Sequence, residues 1–535
     1  MPRWGLTWGF RMNENHMAHI DVHGVWYRLP TGRVLLRDVS FRVADGQKVA
    51  IVGANGTGKS TLLRMLSGSA GPGLGTIVCD GTLAVLPQWV GMSTGVDTVW
   101  QLLARLLPEP LQATALRLHD ADATAQHDTG DAAQLAFVDA LNAWGDAGGY
   151  DQDIAWEQAC TAVLGVGFEQ IARTPASQLS GGEQKRLALA VLLDSAADML
   201  VLDEPDNALD IAGKEWLEQR VRATRKAVVL ISHDRTVIGR VAERYVTLEA
   251  SPRGSTAWVF SGSYADWYEE RIARHERYSV RLKQWHDEHQ HLKEMVRHIG
   301  DMARHNEQMA PRYKAVQHRL EKYEADGPPE APPLVQHIDM RLQGARTGDM
   351  VCDVTDLAIA GVLPPTSLLL THGERVAVVG GNGSGKSHLL RCIAGTETHA
   401  ATGQVRLGAR VTVGVFAQNH DRTHFHGGTP LALLWKNASL PVVDAMAALR
   451  RYGLTEVAEV PFEWLSGGQQ ARLQILLLEM GGATLLLLDE PTDNLDIESA
   501  EALERGLAGY QGTVLCVTHD RWFVQLFDRV VTIGA

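Results

Sequence analysis

The sequence predicts two α/β domains of the P-loop nucleotide-binding kind, joined by an α-helical hairpin linker. Three observations predict it. A glycine loop directly after a β-branched run occurs twice, as GANGTGKS (53–60) after KVAIVG and as GGNGSGKS (380–387) after RVAVVG. An apolar run ending in paired carboxylates also occurs twice, as LVLDEP up to Pro205 and LLLDEP up to Pro491. Between the copies lies a long, charged run free of proline and glycine, the composition of an exposed helix.

The duplication fixes the order of the parts. Lys59 maps onto Lys386 at an offset of 327, and Gln88 onto Gln418 at 330. Ser180, Glu204, Asp210 and His233 map onto Ser466, Glu490, Asp496 and His519 at a constant 286, so this half of each copy is essentially ungapped. The fall from 330 to 286 makes the first copy 44 residues longer between Gln88 and Ser180. That stretch is rich in Ala, Leu and Gln (111–117 and 132–144) and predicts an enlarged helical subdomain, either a protruding arm or ordinary packing. The chain divides into a loose extension (1–17), a first α/β domain (18–261), a hairpin linker (262–335) and a second α/β domain (336–535).

Bulk properties narrow the class. At 535 residues and 45% apolar content the chain can build several cores. No apolar run approaches the roughly 18–20 residues that cross a bilayer, and the N-terminus lacks a signal layout, so a soluble cytoplasmic protein is expected. Cys79, Cys160, Cys352, Cys392 and Cys516 form no CxxC pair, which argues for small buried side chains rather than zinc, iron–sulfur or disulfide sites. A formal net charge of −13 argues against a generic nucleic-acid coat while leaving room for a local basic surface. Only 11 of the 50 basic residues are lysines, a bias that fits a GC-rich genome.

The linker starts SGSYADWYEE, with serine placed to cap a helix. As one helix, the run 266–299 spans about 50 Å. Residues 300–311 read as a turn, 312–325 as a returning helix, and GPPEAPP (327–333) as a stop and stiff spacer. Residues 264–325 hold 12 basic against 11 acidic side chains and seven of the 21 histidines, more structure than a tether that only needs reach.

The repeated motifs are those of ATP chemistry. Backbone N–H groups of Gly53, Ala54, Asn55, Gly56, Thr57 and Gly58, and of Gly380, Gly381, Asn382, Gly383, Ser384 and Gly385, turn onto phosphate oxygens at a helix N-terminus. Lys59 and Lys386 reach the β- and γ-phosphates, and Ser60 and Ser387 ligate Mg²⁺. Thr61 follows in the first copy but His388 in the second, which alters the α-phosphate contact there. Asp203 and Asp489 hold the metal through water; Glu204 and Glu490 polarise the attacking water as general bases. Gln88 and Gln418 follow strands and sense the γ-phosphate and Mg²⁺. His233 and His519 end further strands and contact the γ-phosphate.

The order of P-loop, Gln, LSGGQ-like signature (179–186 and 465–472), DEP, LD and His resembles an ABC ATPase over both halves. Two such domains around a charged hairpin, with ARHNEQMAPRYKAVQHRLEKYE in the linker, resemble the ABC-F family. The resemblance implies two ATP sites at a head-to-tail interface. Lys59, Ser60, Gln88, Asp203, Glu204 and His233 then face Ser466, Gly467 and Gly468. Lys386, Ser387, Gln418, Asp489, Glu490 and His519 face Ser180, Gly181 and Gly182. Asp210 and Asp496 line the interface. Tyr27 or Trp26 is the candidate to stack on adenine, at a spacing longer than the family's usual one. The first copy departs from the pattern in DEPDNALD, with Asp206 and Ala208 where the second copy reads DEPTDNLD. Both glutamates remain, so two competent but unequal sites are expected.

The resemblance further implies an intramolecular ATPase pair in a monomer that uses ATP and Mg²⁺ and binds the ribosome at the tRNA exit site. Its linker tip would reach P-site tRNA, 23S rRNA and the peptidyl-transferase region through Arg297, Arg304, Arg312, Lys314 and Arg319, with His305 either stacked on a base or simply solvated. Antibiotic resistance by ribosome protection and a housekeeping role on stalled ribosomes both fit: the short hairpin counts against the first, the GC-rich bias for it. A soluble ATPase component of a membrane transporter remains a third alternative.

Overall fold

The computed structural model describes residues 18–87, 90, 97–108, 111–128, 130–330, 332–334, 338–417 and 425–534. The expected extension 1–17, Gln88 and Gln418 lie outside these residues.

Runs such as KVAIV, MLVLD and AVVLI are buried at every residue, the pattern of strands covered on both faces. In the first copy Leu83–Leu86, Met199–Asp203, Ala227–Ile231, Lys48–Val52 and Arg244–Glu249 run parallel in that spatial order, and Thr256–Ser261 adds an antiparallel edge. The second copy repeats the parallel part with Val413–Phe416, Leu485–Asp489, Thr513–Val517, Arg375–Val379 and Arg529–Thr532. Each copy adds a three-stranded antiparallel sheet, Val34–Val43, His19–Arg28 and Leu74–Asp80 in the first and Leu363–Thr371, Met350–Ile359 and Ala401–Leu407 in the second. The helix after each glycine loop lies in the core with both sheets: Leu62, Met65 and Leu66 pack with Ile20, Leu36 and Ile51. Glycine loop, paired carboxylates and histidine all emerge from the carboxyl ends of neighbouring parallel strands, where such sheets bind ligands.

The extra length of the first copy is helical. Leu111–His127 and Asp131–Asp146 pair as a hairpin, and only Ala115 of the first is buried. Gly149–Leu164 buries Trp156 and Cys160 against the helix Gly181–Asp194. Among the described residues from 425 on, the α-helices of the second copy before its signature helix are Pro430–Ala438 and Val442–Arg451. No helix among the described residues is long and apolar enough to cross a membrane.

In the linker the structure differs from the expected break at residue 300. One helix runs Tyr264–Ala303, 40 residues and about 60 Å, capped by Ser263 and Asp266. Gly300 lies inside it because the chain returns there: a Cβ on Gly300 would meet the Tyr313 ring at 3.0 Å. After a short turn, Ala310–Asp326 comes back, with Pro311 in its first turn and Gly327 ending it at a φ of 72°. Trp285 stacks on Tyr323 at 5.5 Å, the Tyr323 hydroxyl donates to the Trp285 carbonyl (3.3 Å), and His289 meets Glu324 at 2.8 Å. Tyr323→Ala is expected to loosen the hairpin by about 1 kcal/mol. Amide exchange across 285–299 should then rise roughly fivefold, with the sheets unchanged.

The base of the long helix touches both domains. Trp267 is fully buried, donates from Nε1 to Thr247 Oγ1 (2.9 Å) and stacks on Tyr245. Tyr264 meets Trp522 edge-on at 6.2 Å, and Arg271 pairs with Glu498.

Candidate functional site

Each glycine loop ends in a glycine that carries the helix cap in the left-handed region, Gly58 at φ 102° and Gly385 at φ 88°. Neither helix has a side-chain cap, so its first N–H groups are left for an anion. Lys59 folds onto its own loop, donating to the Gly53 carbonyl (2.7 Å) and the Ala54 carbonyl (3.2 Å). Lys386 does the same with Gly380 (3.0 Å) and Gly381 (2.7 Å). Burial lowers the pKa of both ammonium groups, against the pull of nearby carboxylates. A bound polyphosphate offers them the charge partner that loop carbonyls offer only in part.

Beside the loops, Asp203 and Asp489 end fully buried strands. Burial raises both to a pKa of about 6, with Glu204 adding to the effect on Asp203. Oδ1 of each is buried without a hydrogen-bond partner. Two buried carboxylate oxygens of this kind, the second on a carboxylate that Ser387 hydrogen-bonds, fit a hard cation. The following residues, Glu204 (φ 48°) and Glu490 (φ 47°), are held in left-handed backbone by hydrogen bonds to the Ile231 and Val517 carbonyls. Strain of this sort marks functional positions. His233 Nε2 lies 4.0 Å from Glu204 Oε1, and His519 Nε2 lies 3.5 Å from Glu490 Oε1. Burial, then Lys59 or Lys386, lowers each imidazole to a pKa of about 4, so both are neutral at physiological pH.

The copies differ around the glutamates. Asn207 donates to Glu204 Oε2 at 2.6 Å. The corresponding residue of the second copy is Asp493. Burial, then Asp493 and Asp489, push Glu490 well above the usual carboxylate range.

The two halves meet head to tail. The Asn55 N–H donates to Asp496 Oδ2 (2.7 Å), and that of Asn382 to Asp210 Oδ2 (3.4 Å). Asn382 Nδ2 also reaches the Ala208 carbonyl at 2.8 Å. Signature residues lie directly opposite: a Cβ on Gly468 would fall 2.5 Å from Asn55 Nδ2, and one on Gly182 would fall 2.8 Å from Asn382 Nδ2. Ser180 and Ser466 cap the signature helices through boxes with Glu183 and Gln469. The first loop thus faces the second signature, and the reverse. Arg235–Glu504 and Arg521–Glu218 pairs add to the contact.

Lys214 stands in the middle of this interface. Its ammonium lies 3.0 Å from Asp234 Oδ2 and donates to the His519 carbonyl of the other half at 3.3 Å. Burial opposes the charge, but Asp234, Asp206 and Asp493 hold its pKa above the ordinary lysine value. Asp206 and Asp493 are themselves raised to about 6 by burial. At the offset of 286 the second copy has Ala500, so the duplication does not repeat this lysine.

Most residues anticipated from sequence converge here, but not all. Gln88 and Gln418 cannot be placed, since they lie outside the described residues. Tyr27 is half-buried against the core of the antiparallel sheet. The Ser40 hydroxyl accepts from the Gly24 N–H, and Ser367 accepts from that of Asp356, which aligns Tyr27 with the buried Ile359. The second copy therefore has no aromatic at the Tyr27 position. His388 points Nδ1 at Glu397 (2.7 Å). Lys214, Asn55 and Asn382 as cross-interface contacts, and the His388–Glu397 pair were not anticipated. The offset of 286 makes the lysine–alanine difference readable, but nothing local to Lys214 marks it.

A family profile described as "ABC transporter" matches residues 36–207 and 363–493, more than half of the chain. An "Antibiotic resistance protein" of Mycobacteroides abscessus is 41% identical, covering 97% of this chain and 98% of that one. The "Tylosin resistance ATP-binding protein TlrC" of Streptomyces fradiae is 31% identical over 95% of this chain and 96% of its own. This chain belongs to the ABC-F family. Its tandem domains make it a P-loop ATPase that binds and hydrolyses ATP. The "Energy-dependent translational throttle protein EttA" of Mycobacterium tuberculosis is 28% identical, covering 94% of this ABC-F chain and 88% of that protein. A solved structure titled "RNase-L Inhibitor" shares the fold at a TM-score of 0.56 and 20% identity, covering 95% of this chain and 87% of that one.

Proposed function

We propose that this ATPase is a ribosome factor whose closed, ATP-bound form occupies the tRNA exit site, and that it confers antibiotic resistance by ribosome protection. The observation that carries this reading is 41% identity over nearly the whole chain to a protein described as an antibiotic resistance protein. The tylosin-resistance and translational-throttle relatives support it. A housekeeping role on stalled ribosomes is the second reading, favoured by the throttle relative.

Closure comes first in the mechanism. ATP bound by Lys59 and the loop 53–60 is capped by Ser466, Gly467 and Gly468; ATP bound by Lys386 and the loop 380–387 is capped by Ser180, Gly181 and Gly182. Ser60 and Asp203, or Ser387 and Asp489, with Gln88 and Gln418, would hold Mg²⁺, which when bound would supply positive charge against the developing phosphate charge. Glu204 and Glu490 accept the proton of the attacking water, and the neutral His233 and His519 orient it towards the γ-phosphate. The two sites are unequal, because Glu490 faces the carboxylate of Asp493 where Glu204 meets the neutral amide of Asn207. In the linker, the exposed Arg304, Arg312 and Lys314 meet rRNA or tRNA phosphates.

Protons and Mg²⁺ compete for Asp203 and Asp489. Their pKa of about 6 leaves both mostly protonated at pH 5.5 and ionised at pH 7.5. The apparent Mg²⁺ affinity measured through ATP binding should therefore fall by several-fold between pH 7.5 and 5.5. An unchanged affinity would remove these carboxylates from the metal's reach.

The test of the function uses the double variant Glu204→Gln, Glu490→Gln, which keeps closure and removes both bases. With ATP and moderate salt it should co-sediment with 70S ribosomes and block translation. Drugs added to a translation assay with the wild-type chain then separate resistance from housekeeping. A trapped chain that stays off ribosomes refutes the reading.

A further inference from the structure

We propose that His388, Glu397 and His399 bind one divalent cation of the zinc class on the shoulder of the second glycine loop. The three side chains converge from a helix and the loop after it. His388 is in the first turn of Lys386–Ala394, and Glu397 and His399 lie just before the strand Ala401–Leu407. Nδ1 of His388 is 2.7 Å from Glu397 Oε2, and Nδ1 of His399 is 2.7 Å from Glu397 Oε1. One ligand atom from each residue lies within 4.8 Å of the others. Tetrahedral zinc holds such atoms about 2.0–2.2 Å from itself and hence about 3.3–3.6 Å from one another, so the two hydrogen-bonded pairs open by less than about 1 Å and no pair closes by more than about 1.5 Å.

Two imidazole nitrogens and one carboxylate suit zinc and its neighbours, whereas Mg²⁺ prefers an all-oxygen shell. The carboxylate is already oriented, because Oε1 accepts from the backbone N–H groups of Thr398 (2.8 Å) and His399 (3.0 Å). These bonds and the two imidazoles hold Glu397 ionised, at a pKa of about 2, against the opposing effect of burial. His399 is 55% exposed at its side chain, which leaves a side open to water as the fourth ligand. Arg391 Nε, 3.6 Å from Oε2, is too far for a hydrogen bond; its charge weakens the site without filling it. The first copy has Thr61 in place of His388 and neither histidine nor carboxylate from Ser60 to Cys79, so the site belongs to the second copy alone. A bound cation ties the first turn of the glycine-loop helix, one residue past Ser387, to the loop entering Ala401–Leu407. It gives the second ATP site a restraint that the first lacks.

The experiment titrates Co²⁺, as a spectroscopic stand-in for Zn²⁺, into the nucleotide-free full chain with Mg²⁺ in excess. One Co²⁺ per chain should bind with the visible absorption of a four-coordinate N/O site and be displaced by one Zn²⁺. His399→Ala, at an exposed position, and His388→Thr, which restores the residue of the first copy, should each weaken binding at least about tenfold. Cys392→Ser should not, although Cys392 lies one turn beyond His388 and feels the charge of Glu397. Circular dichroism checks that each variant is folded. No Co²⁺ uptake, uptake indifferent to both histidine variants, or uptake lost in Cys392→Ser would each overturn the site. The readout needs neither ribosomes nor hydrolysis, so its failure is distinct from failure of the ribosome reading.

Discussion

Gly468→Ala is expected to keep the first ATP site from closing. The added methyl would sit 2.5 Å from Asn55 Nδ2 across the interface and 2.9 Å from the Asn494 carbonyl of its own half. Carbon does not approach nitrogen or oxygen that closely, so one of the two must move. Overpacking of this order costs about 1–3 kcal/mol. Part of it, the Asn494 contact, is felt in the open form too; the Asn55 contact is felt only on closure. ATP-dependent compaction, read by small-angle scattering on the Glu204→Gln, Glu490→Gln background, should weaken by roughly five- to a hundredfold in ATP concentration. Gly182→Ala makes the matching test at the second site, where the methyl would lie 2.8 Å from both Asn382 Nδ2 and the Ala208 carbonyl. Unimpaired compaction in both variants would mean that ATP closes the halves in some other arrangement.

Lys214→Ala should open the interface from its centre. Removing the ammonium leaves Asp206, Asp234 and Asp493 facing one another in a buried space. Breaking a buried ion cluster in this way costs about 3–5 kcal/mol. The loss depends on pH, and the sign follows from the raised carboxylates. Asp206 and Asp493 already stand at about 6 in the folded chain, and losing their cation pushes them higher. A carboxyl whose folded pKa exceeds its unfolded value contributes stability below the unfolded value and loses it as pH rises through the folded one. Asp234, which Lys214 holds below its ordinary value, loses that support at pH 5 already, so the variant should trail the parent at pH 5 and fall progressively further behind it above pH 6. Chemical denaturation at a series of pH values reads this directly. A constant difference across that range would show that the aspartates do not titrate with the lysine. The His519 carbonyl loses a donor at the same time, so hydrolysis at the second site should suffer more than at the first; comparing Lys214→Ala on Glu204→Gln and on Glu490→Gln backgrounds separates the two.

What was legible in the sequence is what depends on short-range spacing. A glycine loop, its preceding strand and the following helix are set by about fifteen consecutive residues, and both copies fold as their residues suggest. The paired carboxylates and the signature caps are local in the same sense. What escaped depends on partners brought together by the fold. Gly300 reads as a helix breaker until Tyr313, thirteen residues on, is seen to pack against it. The role of Lys214 is set by Asp206 and Asp234 from one half and Asp493 from the other, and no local window contains them. Ile359 matches Tyr27 only through the strand register, which a count from the glycine loop misplaces by irregular pairing in both sheets. His388 was visible as a departure, but its partners Glu397 and His399 become neighbours only when the chain folds back along the helix.

The long helix has a mechanical consequence. Its root is clamped on one side by Trp267 in the first domain and on the other by Tyr264 against Trp522 and Arg271 against Glu498 of the second. Parting the halves releases the second set and keeps the first. The helix is then a lever pivoted at Trp267 with an arm of about 60 Å. By that geometry a tilt of only about 6° at the root carries the tip, with Arg304 and Arg312, through roughly 6 Å, about the length of a nucleotide step. Small motions of the ATPase halves are thereby amplified at the far end without any hinge within the hairpin itself.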